Sequence, residues 1–394
     1  MYEYELNKLL TLYRNGLFSK KYYKDRIKGE NSFSSYDEFC KIPLMDKQSI
    51  RETAVFERTN TSKSDVYGIF SSSGTTGDKT FYVYNKNDKK VHEEFVRTFF
   101  DEMDISSDDI GGVMAPVGTG VMAHTMLWEF STVGAGYVNC PEPSPINMIE
   151  IIEKIPVTVI ATRPNIASSI AYNPELCSIA QGSSVKKLAV GGGFLSDARR
   201  KMIEVAWGAE CFNCFGMSEM FGPMAAECRE KNGLHYLDKY LMIELLDPIS
   251  KMPVPEGQPG IAVYTSLWEK GFPLLRYWTD DLMIVDRSKC KCGSSNPRIR
   301  YLGRMADCII LDGTYIFPEQ VENILFDNGF IGEYKVIQDY DQITVFTETL
   351  EKKDIIIIQA LLEELFLHRK VNISLVPIGK LNYKGFGKRF ECKC

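Results

Sequence analysis

Apolar and polar positions follow two regimes along this chain. Residues 1–50 carry apolar positions at helical spacing and read as amphipathic helices that run into a loop at Ile42–Pro43. From Tyr67 onward short apolar runs take over. YGIFSSS and FYVY flank the polar stretch GTTGDKT, and strand-like runs follow at VMAPV, GYVNC, VTVIA, KLAVG and ECFNC. Helical stretches fit between them at MIEIIEKI and SDARRKMIEVAW. This rhythm predicts an α/β fold with a mostly parallel sheet. From about residue 240 to 302 the runs shorten and alternate (LMIELLD, GIAVYTS, LLRYWTD, LMIVD), as in a smaller β-rich subdomain. After Gly303–Arg304 the runs CIIL, EQVENIL, YKVIQ, ITVFTE, IIIIQALLEELFLH and VNISLV predict a compact βαββαβ-like unit. The expected organisation is a large domain over 1–302 and a small α+β domain over 303–394.

Candidate chemistry gathers at the ends of these runs. In Phe212–Cys228, FNCFGMSEMFGPMAAEC, an apolar run ends at Phe215–Gly216 and Glu219 follows three residues after the glycine. The Gly222–Pro223 pair then breaks the segment. Such a strand delivers one acid to the carboxyl edge of a sheet, where open α/β sheets take their ligands. Ser71–Thr80 places Ser72, Ser73, Gly74, Thr75, Thr76 and Gly77 between two strands. Two glycines expose successive backbone N–H groups and the hydroxyls add donors, which makes a cradle for polyphosphate oxygens. It lacks the Gly-Lys pair of a Walker loop, and a plain Ser/Gly turn is the other reading. Gly191, Gly192 and Gly193 end the strand KLAV and allow close approach of a flat ligand, or simply a turn. RYWTDD ends in Asp281, a carboxylate that can take both hydroxyls of a ribose or else lie in an exposed turn. The C-terminal GKLNYKGFGKRF sets Lys380, Lys384, Lys388 and Arg389 among glycines and aromatics, either as a solvated basic face or as a formed loop presenting Lys388.

Composition narrows the partners. A net charge of −6 argues against a nucleic-acid surface, which needs clustered Lys and Arg. The N-terminal residues carry charges every few positions with no apolar signal core, and no apolar run reaches the about 18 residues that span a bilayer. Eleven cysteines, an odd number, suit a reducing compartment, so a cytoplasmic protein is expected. Four donors stand out: Cys228-x6-His235, then Cys290-x-Cys292. One imidazole and three thiolates suit a tetrahedral structural Zn²⁺. Free reduced cysteines are the alternative, and Cys392 and Cys394 are a second candidate pair. His124 lies in VMAHTMLWEF, a buried-looking helix, as a lining residue of a substrate pocket or a core histidine. Met217, Met220, Phe221 and Pro223 would shape such a pocket or pack in the core, and Cys214 reads as packing.

Taken together, the order SSSGTTG, GGG, FGMSEM, RYWTDD, YLGR and GFGK resembles the adenylate-forming enzymes, in particular their phenylacetate–coenzyme A ligase branch. Agreement is densest from Phe215 through Glu322 and extends over nearly the whole chain. The resemblance implies two half-reactions. A carboxylic acid attacks the α-phosphate of Mg-ATP to give an acyl-adenylate and pyrophosphate, and a thiol, usually coenzyme A, then displaces AMP. It implies that Ser72 to Gly77 hold the β- and γ-phosphates, with Gly191 to Gly193 also at the nucleotide. Phe215 and Gly216 would flank the adenine, Ser218 would contact the α-phosphate and Glu219 would bind Mg²⁺. Asp281 and Arg304 would hold the ribose. Lys388 would bridge the acyl carboxylate and the α-phosphate. It further implies a mobile C-terminal domain hinged just after Gly303–Arg304, and a homodimer. The chain departs from the family pattern at Ala306, where Asp or Lys usually stands with Asp307 beside it, at Asp280 for a glycine, at Gly193 for an acid and at Ile261 for a glutamate. The acid is expected to be aryl or arylacetic. Alternatives are an adenylating enzyme that loads a carrier protein or an amine, and a non-catalytic nucleotide-binding protein. The retained Glu219, Asp281 and Lys388 count against the last.

Overall fold

A computed structural model describes residues 2–27, 35–72, 79–115, 118, 120–140, 142, 144–349, 355–381 and 389–392. In chain order its first strands are β1 (Val66–Ser71), β2 (Phe81–Asn85), β3 (Ile110–Met114), β4 (Gly136–Cys140), β5 (Val159–Thr162), β6 (Lys187–Gly191) and β7 (Glu210–Met217). Then come β8 (Gly222–Glu227), β9 (Leu234–Tyr236), β10 (Leu241–Leu246), β11 (Gly260–Ser266), β12 (Tyr277–Asp286) and β13 (Arg298–Arg304). The chain forms two compact units. Met1–Asp104, Gly118–Thr125 and Phe215–Tyr301 make the first, and Ile105–Val117, Met126–Cys214 and Leu302–Cys394 make the second.

The second unit contains the parallel sheet, with strand order β4-β3-β5-β6-β7. Its strands are short continuous apolar runs, and Val159, Ile160, Leu188 and Val190 are wholly buried, as strands covered on both faces must be. The helix Asp197–Trp207 shows how local signals set its bounds. Ser196 caps it by accepting the Arg199 N–H, and Gly208, at φ 62°, ends it in the left-handed conformation that glycine adopts without strain. Ile203, Ala206 and Trp207 from this helix join the core over the parallel sheet, and Trp207 Nε1 donates to the Ala167 carbonyl at 2.9 Å.

Residues beyond 302 form a hairpin (Ile309–Leu311 with Thr314–Ile316), helices Pro318–Asp327 and Ile356–Leu365, and a four-stranded sheet. That sheet runs Lys370–Pro377, Gln342–Thr349, Tyr334–Asp339, Phe390–Cys392. The last strand, parallel to Tyr334–Asp339, was not anticipated from the pattern; three residues among charges give no periodic signal. Their core, with Val321, Leu325, Val336 and Phe366, takes in Ala198 of the helix Asp197–Trp207. Four charges meet at the same place, Arg199 and Glu322 buried and Glu333 and Arg389 half-buried. Arg199 pairs with Glu322 at 3.2 Å and with Glu333 at 2.9 Å. Arg389 pairs with Glu333 at 3.0 Å and also with Glu322.

In the first unit the strands lie in the order β8-β9-β13-β12-β11-β10, so the β-rich region expected from residue 240 begins nearer 222. β1 and β2 form an antiparallel hairpin, and the helix Lys86–Glu102 starts from a reciprocal cap between Asn85 and Asp88. The buried Asp88 also accepts from Trp268 Nε1 at 2.8 Å and the Gly271 N–H at 3.0 Å, with the wholly buried Lys270 ammonium 3.8 Å away. Among the described residues no helix is long and apolar enough to cross a membrane.

Candidate active site

β7 ends at Met217 and gives way to a single helical turn, Ser218–Met220, that carries Glu219. Glycine is required at 216, because a Cβ there would stand 2.3 Å from the Gly222 carbonyl oxygen. Phe221 closes the turn at φ 73°. Glu219 is only 5% exposed, and a buried carboxylate needs donors. It has two. Tyr82 Oη donates to Glu219 Oε1 at 2.8 Å, and Tyr277 Oη donates to the same oxygen at 3.1 Å. Tyr84 Oη donates to the Ser218 carbonyl. Burial first, and the Glu219 charge second, push the Tyr82 phenol far above its ordinary range, so it remains a donor. Sequence reading passed over all three tyrosines. The available signal was the alternation in FYVY, which puts Tyr82 and Tyr84 on one face of β2.

β12 serves both ends of the site. Tyr277 begins it, and four residues on comes Asp281, which is 2% exposed. Tyr301 Oη reaches Asp281 Oδ1 at 3.5 Å, and the Tyr301 ring lies 5.0 Å from that of Phe215. Phe215 and Asp281 therefore meet through Tyr301, a residue that sequence reading did not select. Asp280 has φ 62°, the left-handed backbone that glycine favours, and its Oδ1 accepts from Trp278 Nε1 at 2.5 Å. That geometry accounts for the glycine expected at this position.

Ser72 anchors the start of the hydroxyl-rich stretch. Its N–H donates to the Thr80 carbonyl at 2.9 Å, and the Thr80 N–H donates back to Ser72 Oγ at 3.2 Å. Ser73, Gly74, Thr75, Thr76, Gly77 and Lys388 lie outside the described residues. Gly191 to Gly193 and Arg304 belong to the second unit. Gly191 is held tightly, since a Cβ there would stand 2.8 Å from the Cys214 carbonyl oxygen. Arg304 is exposed and follows Gly303, at φ 124°; the turn Met305–Asp307 with Ala306 comes next.

His124 is exposed, which removes the core reading of this residue. Its helix buries Ala123 and Thr125, while His124, a turn of about 100° away from each, lies on the exposed face. Its ring is 4.6 Å from Phe70, and its Nε2 is 3.3 Å from Tyr67 Oη. Partial burial, with the His92 charge adding to it, holds the imidazole below its ordinary pKa. Met220 is buried, and Met217 is half-buried.

Cys228, His235, Cys290 and Cys292 converge, with all four donor atoms within 4.8 Å of one another. Cys228 Sγ and Cys290 Sγ are 3.8 Å apart, and Cys292 Sγ is 3.5 Å from His235 Nε2. His235 Nδ1 bonds the Asn296 carbonyl at 2.8 Å, which fixes that nitrogen as the donor and turns the Nε2 lone pair to the thiols. Three sulfurs and one imidazole nitrogen at this spacing fit a tetrahedral zinc ion. Cys392 is exposed and belongs to the second unit.

Comparison with known proteins follows this geometry. A family profile described as AMP-binding enzyme matches residues 25–266. Phenylacetate–coenzyme A ligase of Thermus thermophilus is 28% identical over 309 residues, 74% of this chain and 67% of that protein. The enzyme of the same name from Pseudomonas putida is 26% identical over 299 residues, 73% of this chain and 65% of its own length. The chain thus spans about two thirds of these relatives. Among solved structures, a 2-hydroxyisobutyryl-CoA ligase in complex with 2-HIB-AMP superposes with TM-score 0.83 at 18% identity, over 98% of this chain and 88% of that one. An anthranilate CoA ligase in complex with anthranoyl-AMP gives TM-score 0.66 at 17% identity, over 84% of this chain and 66% of the other. These likenesses carry the fold, which is that of adenylate-forming ligases, as the motif order implied.

Proposed function

Since the chain belongs to the AMP-binding enzyme family, we propose that it activates a carboxylic acid with ATP to an acyl-adenylate and passes the acyl group to coenzyme A. The observation that carries this reading is Glu219, buried at the end of β7 and oriented by two tyrosine hydroxyls. A carboxylate fixed in this way suits Mg²⁺, a hard cation that takes oxygen ligands. The ion would supply positive charge where an acid anion meets a polyphosphate. Phe215, Tyr301 and Asp281 form the adenosine end, with Ser72 starting the phosphate loop. Lys388 bridges the acyl carboxylate and the α-phosphate as a point charge, and Arg304 joins Asp281 in holding the ribose. Residues 303–394 would move between the two half-reactions, exchanging the contacts that Ala198 and Arg199 make with them here. The zinc ion at Cys228, His235, Cys290 and Cys292 is structural, because four protein donors leave no open position for substrate.

The relatives named for phenylacetate support an aryl or arylacetic acid as substrate, and no residue described above favours a carrier protein or an amine over coenzyme A. The test is acid-dependent ATP–pyrophosphate exchange over a panel of aryl, arylacetic, fatty and amino acids, with AMP release followed with and without coenzyme A. Exchange with one acid class, and AMP release that rises with coenzyme A, are the expected results. Exchange without any effect of coenzyme A would move the acceptor to another thiol or amine. No exchange with any acid would overturn the reading.

A further inference from the structure

Tyr277 reaches Glu219 from an unusual strand start. The residue before it, Arg276, has φ 51°, the left-handed backbone that a Cβ disfavours. Arg276 is 4% exposed and Tyr277 3%, so this is not the slack of a surface turn. Strain of this kind persists only where the surroundings over-determine it, and it collects at functional sites. The same strand repeats the arrangement at its other site residue, since Asp281 directly follows Asp280, at φ 62°.

Arg276 is held through its main chain and its side chain together. Its N–H donates to Thr265 Oγ1 of β11 at 3.0 Å, and its carbonyl accepts from the Met45 N–H at 2.9 Å. The Met45 carbonyl in turn accepts from the Trp278 N–H at 2.8 Å, so one wholly buried residue brackets Tyr277 from both sides. The guanidinium forks onto Glu244 of β10, with Nε donating to Oε2 at 3.1 Å and Nη2 to Oε1 at 3.0 Å. Nη1 donates to the carbonyls of Cys40 and Ile42, the latter at 2.9 Å. Glu244 is 1% exposed and accepts a third bond, from Tyr36 Oη at 3.1 Å. A buried fork of this kind fixes a side chain in one place, and the side chain fixes the backbone angle that carries it.

We propose that Glu244 and Arg276 are positioning residues for the Glu219 carboxylate: their pair holds residue 276 in the left-handed backbone and so aims the Tyr277 hydroxyl at Glu219 Oε1. The inference rests on the adenylation reading above and deepens it by two residues that act through Tyr277. Their effect should therefore follow the backbone preference at position 276 and vanish once the phenol is gone. Calorimetric titration of Mn²⁺ in the presence of a non-hydrolysable ATP analogue reads the carboxylate without turnover. Glu244→Gln/Arg276→Ala and Glu244→Gln/Arg276→Gly strand no charge and remove the same side-chain contacts, but only glycine takes this backbone freely. The alanine variant should bind Mn²⁺ about 5-fold more weakly than the glycine variant, the order of the left-handed penalty on a residue with a Cβ. Adding Tyr277→Phe to both should close that gap, which a general loss of packing would leave open. Arg276→Lys keeps a cation beside Glu244 and serves where the double variants fail to fold; without the fork it too should bind Mn²⁺ about 5-fold more weakly than wild type. Equal affinities in the alanine and glycine variants overturn the inference, as does a gap that survives Tyr277→Phe or wild-type affinity in folded Arg276→Lys. Failure of wild type to exchange pyrophosphate with any carboxylic acid is a separate outcome, which removes the adenylation reading and this inference with it.

Discussion

Burying Glu219 without partners would cost several kcal/mol, and the two phenols that prevent this also decide where its free lone pairs point. Removing one donor leaves the carboxylate less restrained rather than unpaired. Tyr277→Phe is therefore expected to lower pyrophosphate exchange at saturating ATP by about 10-fold, the effect of one hydrogen bond to a charged group, and to raise the Mg²⁺ concentration for half-maximal rate. A titration of exchange rate against Mg²⁺ checks this, and an unchanged curve with normal melting temperature would contradict the role given to Tyr277. At this scale the sequence was legible where chemistry is written as short strings. Glu219, Asp281 and the zinc ligands all stood out by spacing, and the structure buries Glu219 and Asp281 and gathers the four ligands. Tyr82, Tyr84, Tyr277 and Tyr301 did not, because a tyrosine in a strand reads as ordinary β propensity until its hydroxyl is seen to reach a carboxylate.

At the scale of elements, the alternating strands and helices from Val113 to Cys214 were visible as continuous apolar runs, the pattern of a parallel sheet covered on both faces. The extent of the antiparallel region was less visible, because β8 and β9 are short and sit among turn residues. The four donors that would hold the proposed zinc ion come from the end of β8, from β9 and from the loop between β12 and β13. A zinc ion held there would close a long chain segment and tie the loop between β12 and β13 to the paired strands β8 and β9. About one equivalent of zinc should copurify with the protein, as a single four-donor site requires. Metal analysis should show it lost from Cys290→Ser, with a lowered melting temperature. Wild-type protein free of metal and equally stable would refute the assignment.

At the scale of the molecule, Arg199, Glu322, Glu333 and Arg389 form one network of charges in the second unit. No residue pattern announced it, since Arg199 and Glu333 alone are separated by 134 positions and only the fold joins them. Burial alone would raise the Glu333 pKa, but the two arginines overcome that and hold it near about 2, against 4.5 for an ordinary glutamate. Its contribution to stability is therefore complete above pH 4.5 and is lost as the pH falls toward 2, a change on the order of 3 kcal/mol at about 1.36 kcal/mol per pH unit. Chemical unfolding measured from pH 6 to 3 should show a shallower acid decline for Glu333→Gln than for wild type, starting from a lower plateau. Parallel curves would remove Glu333 from this role.

The same four charges have a consequence for descent. Each arginine touches both glutamates, so a change at one position strands an unbalanced ion in a dry place and costs about 3–5 kcal/mol. An apolar replacement of the whole set would cost little, but no single step on that route is neutral. Selection should therefore treat positions 199, 322, 333 and 389 as one inherited character. Lineages descended from a common ancestor with this protein are expected to keep all four charges or to have exchanged them together.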